Sequence, residues 1–141
     1  MIENRQITVS PEEKSIVVDL NNFLLADKDL SGKAKIENID LLYEYLKAHG
    51  YDNIIFISSS SLWKRVNKKG RYDQLVRNRT ILKAPALVDM DWYVLSIAQQ
   101  LNCDILSNDK FKKYWDDFGR EWIQSKRKTF MFIEGKVIIK L

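Results

Sequence analysis

The chain has one cysteine, one histidine, two prolines and five glycines among its 141 residues. Each shortage closes off a class of chemistry. The single thiol, Cys103, cannot build a disulfide framework within the chain. It sits in an apolar run and reads as a small buried hydrophobe. With His49 as the one imidazole, a zinc centre, a nucleophilic triad and histidine-dependent acid–base cleavage of RNA all lack their parts. His49 precedes Gly50 at a helix end, where a cation suits the helix dipole. No P-loop or glycine-rich dinucleotide fingerprint is present. No apolar run approaches the ~20 residues that cross a membrane. The first residues carry no apolar signal-peptide core, so an intracellular, cytoplasmic setting is expected.

A chain of this length suits one domain, 1–141, able to bury roughly 68% of its unfolded surface. The net charge of +4 is unevenly spread. Between Trp63 and Lys83 lie Lys64, Arg65, Lys68, Lys69, Arg71, Arg77, Arg79 and Lys83 against one acid, Asp73. Clustering of this kind marks either a polyanion-binding surface or a solvated basic helix face.

The pattern along the chain alternates between strand and helix. "SIVVDL" (15–20), "NIIFIS" (53–58), "TILK" (80–83) and "CDILS" (103–107) are short, β-branched and bounded by turn formers, as buried parallel strands are. "NNFLLADKDLSGKA" reads as a loop or partial helix. "KIENIDLLYEYLKAHG" has Ile36, Ile39, Leu42, Tyr43 and Leu46 at helical spacing before Gly50. "SSSSLWKRVNKK" opens on hydroxyls suited to an N-cap and predicts a basic helix reaching Gly70. "RYDQLVRN" predicts a further short helix, and "DMDWYVLSIAQQLN" a longer one with acids in its first turn. "KFKKYWDDFGREWIQSK" predicts one or two helices broken at Gly119. "TFMFIEGKVIIKL" reads as a hairpin turning at Glu134-Gly135. Residues 1–14 are ambiguous: "QITVS" could add an edge strand or the segment could be disordered. Together these predict an α/β protein with helices on both faces of a mainly parallel sheet.

Ligands of such sheets bind beyond the carboxyl ends of the strands, near the switch in strand order. Asp19 ends the first strand. Asp109 follows the fourth, and Asp89 and Asp91 open the helix leading into it. If the first and fourth strands are neighbours, these acids share one edge, with Asn22 and Asn108 beside them. Clustered carboxylates repel and raise one another's pKa unless a cation lies between them. Mg²⁺ or Mn²⁺, which prefer carboxylate and water oxygens, would answer that need and would favour phosphodiester hydrolysis. Each acid also has a structural reading. Asp89 and Asp91 favour the helix dipole, and Asp109 suits a cap. Asp19 is the exception: ending an apolar run, it needs solvent or a partner. Asp104 is expected to face away from the others.

The stretches "SIVVDLNN", "LLYEYLKAHGYDNIIFISSSSLWKR", "DMDWYVLSIAQQLNCDILSNDKFKKYW" and "EWIQSKRKTFMFIEGKVII" resemble, in order and spacing, an NYN-type PIN-like ribonuclease domain. The likeness is to the Regnase group, the ribonuclease domain of CCCH zinc-finger proteins. It spans roughly residues 15 to 139. The resemblance implies a three-layer α/β/α PIN-like, Rossmann-like fold and Mg²⁺-dependent endonucleolytic cleavage of single-stranded RNA. It matches the family's metal-binding acids to Asp19, Asp91 and Asp109, and a nearby Asn to Asn22. Two departures stand out. The family's Asp-Asp pair falls on Met90 and Asp91, with Asp89 displaced by one, and its Gly-Ser falls on Leu20-Asn21. Asp89 would assist, and Asn22 and Asn108 would position water or phosphate. The resemblance sets Lys64, Arg65, Lys68, Lys69 and Arg71 near the RNA path, with Trp63 placed either to stack on a base or to anchor a helix in the core. Lys126, Arg127 and Lys128 could flank the strand. PIN-like domains often act as dimers, so a homodimer is open. A non-catalytic RNA-binding or scaffold module of the same fold remains the alternative. A receiver-like phosphoacceptor domain would need paired acids on the first strand, where only Asp19 stands.

Overall fold

The computed structural model describes residues 13–141; the edge strand expected at "QITVS" lies outside them. Six strands form one sheet in the order β3-β2-β1-β4-β5-β6. The strands are β1 (Ser15–Asp19), β2 (Asn53–Ser58), β3 (Ile81–Lys83), β4 (Asp104–Leu106), β5 (Arg127–Ile133) and β6 (Lys136–Lys140). β1 to β5 run parallel, and β6 returns antiparallel to β5. The expected adjacency of the first and fourth strands is present: Val18 stands opposite Leu106.

β1 is buried along its whole length, and its side chains divide by the two-residue period of a strand. Ile16 and Val18 face a core with α1 (Leu20–Leu24), α2 (Asn38–Ala48) and α3 (Lys69–Arg77). Val17 faces the other core, filled by α4 (Met90–Leu101) and by Ile123 of α6 (Arg120–Lys126). A short α5 (Trp115–Phe118) precedes α6, and the break falls at Gly119, whose φ of 94° is open to glycine. The result is a sheet covered on both faces, the α/β arrangement expected. Glu134 and Gly135 join β5 to β6 with φ of 49° and 76°, the positive values of a primed hairpin turn.

Two boundaries differ from expectation. Leu20 belongs to α1, because Asp19 caps that helix by accepting from the Asn22 backbone N–H at 3.2 Å. The basic helix expected up to Gly70 is a 3-10 turn, Ser60–Arg65, and stops at Val66, which is extended. The physical reason is pairing. Ala34 N donates to Arg65 O at 2.8 Å and Asn67 N donates to Ala34 O at 2.8 Å, so the segment is drawn into a bridge with the loop after α1. Helix resumes at Lys69 and runs through Gly70.

Phe23 of α1 locks the terminal hairpin to the sheet. Its ring lies 5.1 Å from both Phe130 and Phe132, centroid to centroid, and is fully buried. Phe23→Ala should cost about 3–5 kcal/mol in urea unfolding. Met131→Ala, on the same hairpin but exposed, should stay within about 0.5 kcal/mol.

Candidate active site

The carboxyl ends of β1 and β4 open into a cleft of about 580 Å³ lined by Asp19, Asn21, Asn22, Leu25, Ala26, Ser59, Met90, Asp91, Asn108 and Asp109. Asp19 is only 4% exposed. Such a carboxylate must find its hydrogen bonds inside the protein. One oxygen accepts from the Asn22 backbone at 3.2 Å, the other from the Ser107 hydroxyl at 2.8 Å. Ser107 Oγ in turn accepts from the Asp109 backbone N–H at 3.1 Å. Asn22 Oδ1 accepts from the Asn108 backbone N–H at 2.8 Å. Asp109 folds its own loop by accepting from Phe111 N at 2.8 Å. The Ser-Asn-Asp stretch after β4 is thus held by Asp19 at the end of β1 and Asn22 of α1, through bonds that cross some 86 to 88 positions of sequence.

Burial and like charge dominate the electrostatics of the cleft. Burial, with a smaller contribution from Asp109, pushes the Asp19 carboxyl up from 3.8 to about 6, against the opposing bonds from Ser107 and Asn22. Burial and repulsion from Asp19, Asp109 and Asp89 push Asp91 up from 3.8 to about 7. Among the described residues, no three Asp, Glu, His or Cys side chains close on a common point as a finished metal cage. The donor set nonetheless fits a hard divalent cation in kind: carboxylate oxygens that repel one another in an open, water-accessible cleft. Asp19, Asp91 and Asp109 would hold it.

Two residues are engaged otherwise than expected, Asp89 and Asn108. Asp89 does not line the cleft. It is the N-cap of α4, accepting from Asp91 N at 3.0 Å, and its other oxygen is bonded by Tyr114 and by Lys113 at 2.9 Å. Those bonds hold its carboxyl below the usual range. Met90 takes the place on the cleft wall. Asn108 does not keep its amide for a ligand: Nδ2 donates to Phe130 O and Oδ1 accepts from Phe130 N, both at 3.0 Å, extending β4 sideways onto β5. Asn22 lines the cleft with its oxygen engaged by the Asn108 backbone. Asp104, at the other end of β4, accepts from the Tyr51 hydroxyl at 2.6 Å and takes no part.

Sequence reasoning passed over Ser107 and the pair Asn21–Ser59. Asn21 Nδ2 donates to Ser59 Oγ at 2.7 Å, and Ser59 N donates to Asn21 Oδ1 at 3.1 Å. This two-way clasp ties α1 to the start of the basic segment. Of that segment, Lys68 pairs with Glu37 at 3.4 Å and Arg71 with Asp40 at 3.2 Å. Lys64 and Arg65 are exposed. Trp63 is a surface residue, not a core anchor; Lys69 sits 5.4 Å from its ring centre and its Nε1 donates to Asp73 at 3.4 Å.

A family model described as the Zc3h12a-like ribonuclease NYN domain matches residues 12–139. The chain belongs to this family. Two solved structures of the nuclear protein-only RNase P 2 (PRORP2) of Arabidopsis thaliana share the NYN-type fold. One gives a TM-score of 0.70 at 16% identity, the other 0.72 at 18% identity. In both, the match covers 92% of this chain but only 30% of the other. No curated protein matches the chain. In this NYN domain the acid cleft sits at the carboxyl edge of the parallel strands, at the switch in strand order where α/β sheets bind ligands.

The raised carboxyls set the pH dependence of stability. Between the unfolded value of 3.8 and the folded values of about 6 and about 7, the native chain holds more protons than the unfolded chain. Stability therefore falls as pH rises through that window. In EDTA, the melting temperature contributed by these groups should drop from pH 4.5 to pH 7.5. Asp91→Asn should flatten the drop and melt roughly 3–6 °C higher at pH 7.5.

Proposed function

We propose that this domain is a divalent-metal-dependent endoribonuclease that hydrolyses phosphodiester bonds of single-stranded RNA at the cleft of Asp19, Asp91 and Asp109, using Mg²⁺ or Mn²⁺. The observation that carries this reading is the gathering of three carboxylates, two with raised pKa values, in one open cleft of a ribonuclease-family chain. A bound divalent ion would make a water molecule a better nucleophile and offset charge on the scissile phosphate. The chain's own part is positional. Asp19 is fixed by Ser107 and the Asn22 backbone, so its lone pairs keep one direction. Asn22 presents amide donors to a phosphate oxygen or to water. Lys64, Arg65 and Lys69 offer charge to the phosphates of the strand, and Trp63 a ring beside them. Cytoplasmic RNA is the setting proposed for this activity.

A second reading is a non-catalytic RNA-binding module. It is favoured by Met90 on the cleft wall, by the withdrawal of Asp89 into a cap, and by the lack of a closed three-acid cluster among the described residues.

End-labelled single-stranded RNA separates the two. The chain should produce internal cuts with Mg²⁺ or Mn²⁺ and none in EDTA. Asp19→Asn, Asp91→Asn and Asp109→Asn should each slow cutting by roughly 100-fold or more. RNA left whole under both ions, with binding that weakens steeply as salt rises, would replace the first reading by the second.

A further inference from the structure

We infer that the Asn21–Ser59 pair on the cleft wall reads the 2′-hydroxyl of the ribose beside the scissile phosphate, and so makes the site choose RNA over DNA. The inference rests on the ribonuclease reading above and names the sugar contact within that same cleft. Both side chains line the cleft. α1 buries Leu20, Phe23 and Leu24. Asn21, Asn22 and Leu25 fall on the other side of that turn, and all three are cleft residues.

Strand register sets the pair close to the acids. Asp19 of β1 stands opposite Ile57 of β2. Asn21 and Ser59 each lie two positions further along the chain, at the same carboxyl edge. Neighbouring strands are about 4.8 Å apart, and two extended residues rise about 7 Å. The pair is thus about one nucleotide away from Asp19 on the β2 side, whereas Asp109 follows β4 on the other side of β1. A phosphate at the acids then has its covalent neighbour, the sugar, beside the pair, and the base lies further out.

The chemistry of the pair fits a hydroxyl. Asn21 Nδ2 donates to Ser59 Oγ at 2.7 Å, and Ser59 N donates to Asn21 Oδ1 at 3.1 Å. Ser59 Oγ also lies 2.8 Å from Ser61 Oγ. The clasp uses one of the two amide hydrogens of Asn21. One hydrogen joins the two hydroxyls, whichever of them donates, and their other hydrogen is left over. This wall therefore offers donors and acceptors without charge. Among the described residues that line the cleft there is no Lys or Arg to take an anion there. A ribose hydroxyl is neutral, both donates and accepts, and is the group that separates RNA from DNA. The wall is also fixed in advance. Ser59 O accepts from the Tyr72 hydroxyl at 3.4 Å, and the buried Ser58 Oγ lies 2.7 Å from that same hydroxyl. Groups already held in place lose little freedom when a ligand engages them.

The test is single-turnover cutting of an end-labelled single-stranded oligoribonucleotide by the full chain with Mg²⁺ or Mn²⁺. A series of strands carries one 2′-deoxy sugar at successive positions around the cut. The parent chain should slow roughly 3- to 30-fold at one position beside the cut. Asn21→Ala should slow the all-ribose strand by a similar factor and lose nothing more when that sugar is deoxy. Ser59→Ala, which keeps the backbone half of the clasp, should lose the same sensitivity, and it carries the test if Asn21→Ala fails to fold. A parent indifferent to deoxy sugars at every position overturns the inference. So do variants that keep the parent's full sensitivity, because the hydroxyl is then read elsewhere. A loss in the variants that follows the identity of the base instead of the sugar overturns it as well. A parent that cuts no RNA under either ion takes down the functional reading and this one together. A parent that cuts RNA while the deoxy series stays flat removes the sugar contact alone.

Discussion

A carboxylate that ends a fully buried apolar strand has to be solvated by the protein around it. Asp19 is in that position, and most of the cleft follows from how it is satisfied. The backbone of α1 supplies one donor, which makes the acid a helix cap and turns the chain sharply at the strand end. Ser107 supplies the other, which requires β4 to lie beside β1 and to stop at Leu106. The same hydroxyl then fixes the Asp109 backbone. One buried charge therefore dictates the order of two strands, the loop after the second of them and the place of a second acid.

The arrangement opposes stability. Two carboxyls sit with raised pKa values because burial and like charge both disfavour ionisation, and the hydrogen bonds from Ser107 and Asn22 only partly offset this for Asp19. Structural ion pairs elsewhere in the chain show the opposite state: Asp27, bonded by Lys35 at 2.9 Å and by Asn38, has its carboxyl held low. In the cleft, Asp19 and Asp91 are raised instead, Asp91 despite an opposing pull from Lys113. Under the proposed function, a bound cation would offset that repulsion.

Much of this was legible in the sequence, for a physical reason. Continuous β-branched runs such as Ile16-Val17-Val18 report burial on both faces, and burial on both faces means a central parallel strand. Acids at the ends of such runs then fall on one edge without any need for coordinates. What was not legible is how each polar side chain is spent. The basic segment after β2 has helical composition, yet the backbone of Ala34 takes its hydrogen bonds and leaves a 3-10 turn. Asn108 looks like a ligand-facing amide, yet Phe130, 22 positions on in the neighbouring β5, uses both ends of it. Asn21 and Ser59 lie 38 positions apart, so their clasp has no local signature. Charges are read one at a time in a sequence, whereas Lys68 and Arg71 are already matched by Glu37, which precedes α2, and by Asp40 in its first turn.

The displacement of Asp89 shows how much one position matters at a helix start. An N-cap residue is not yet helical, and its side chain folds back to bond the N–H two residues on. Asp89 does this to Asp91, so its carboxylate is committed to the helix and to Lys113 before any ligand is considered. The next residue begins the helix and points into the cleft wall, and there the chain has Met90. Successive helical positions differ by about 100° around the axis, so an acid at 89 cannot substitute for one at 90. The cleft is left with a carboxylate at Asp91 and a thioether beside it. Fewer negative charges mean weaker mutual repulsion in the cleft and a weaker field for any positive ligand.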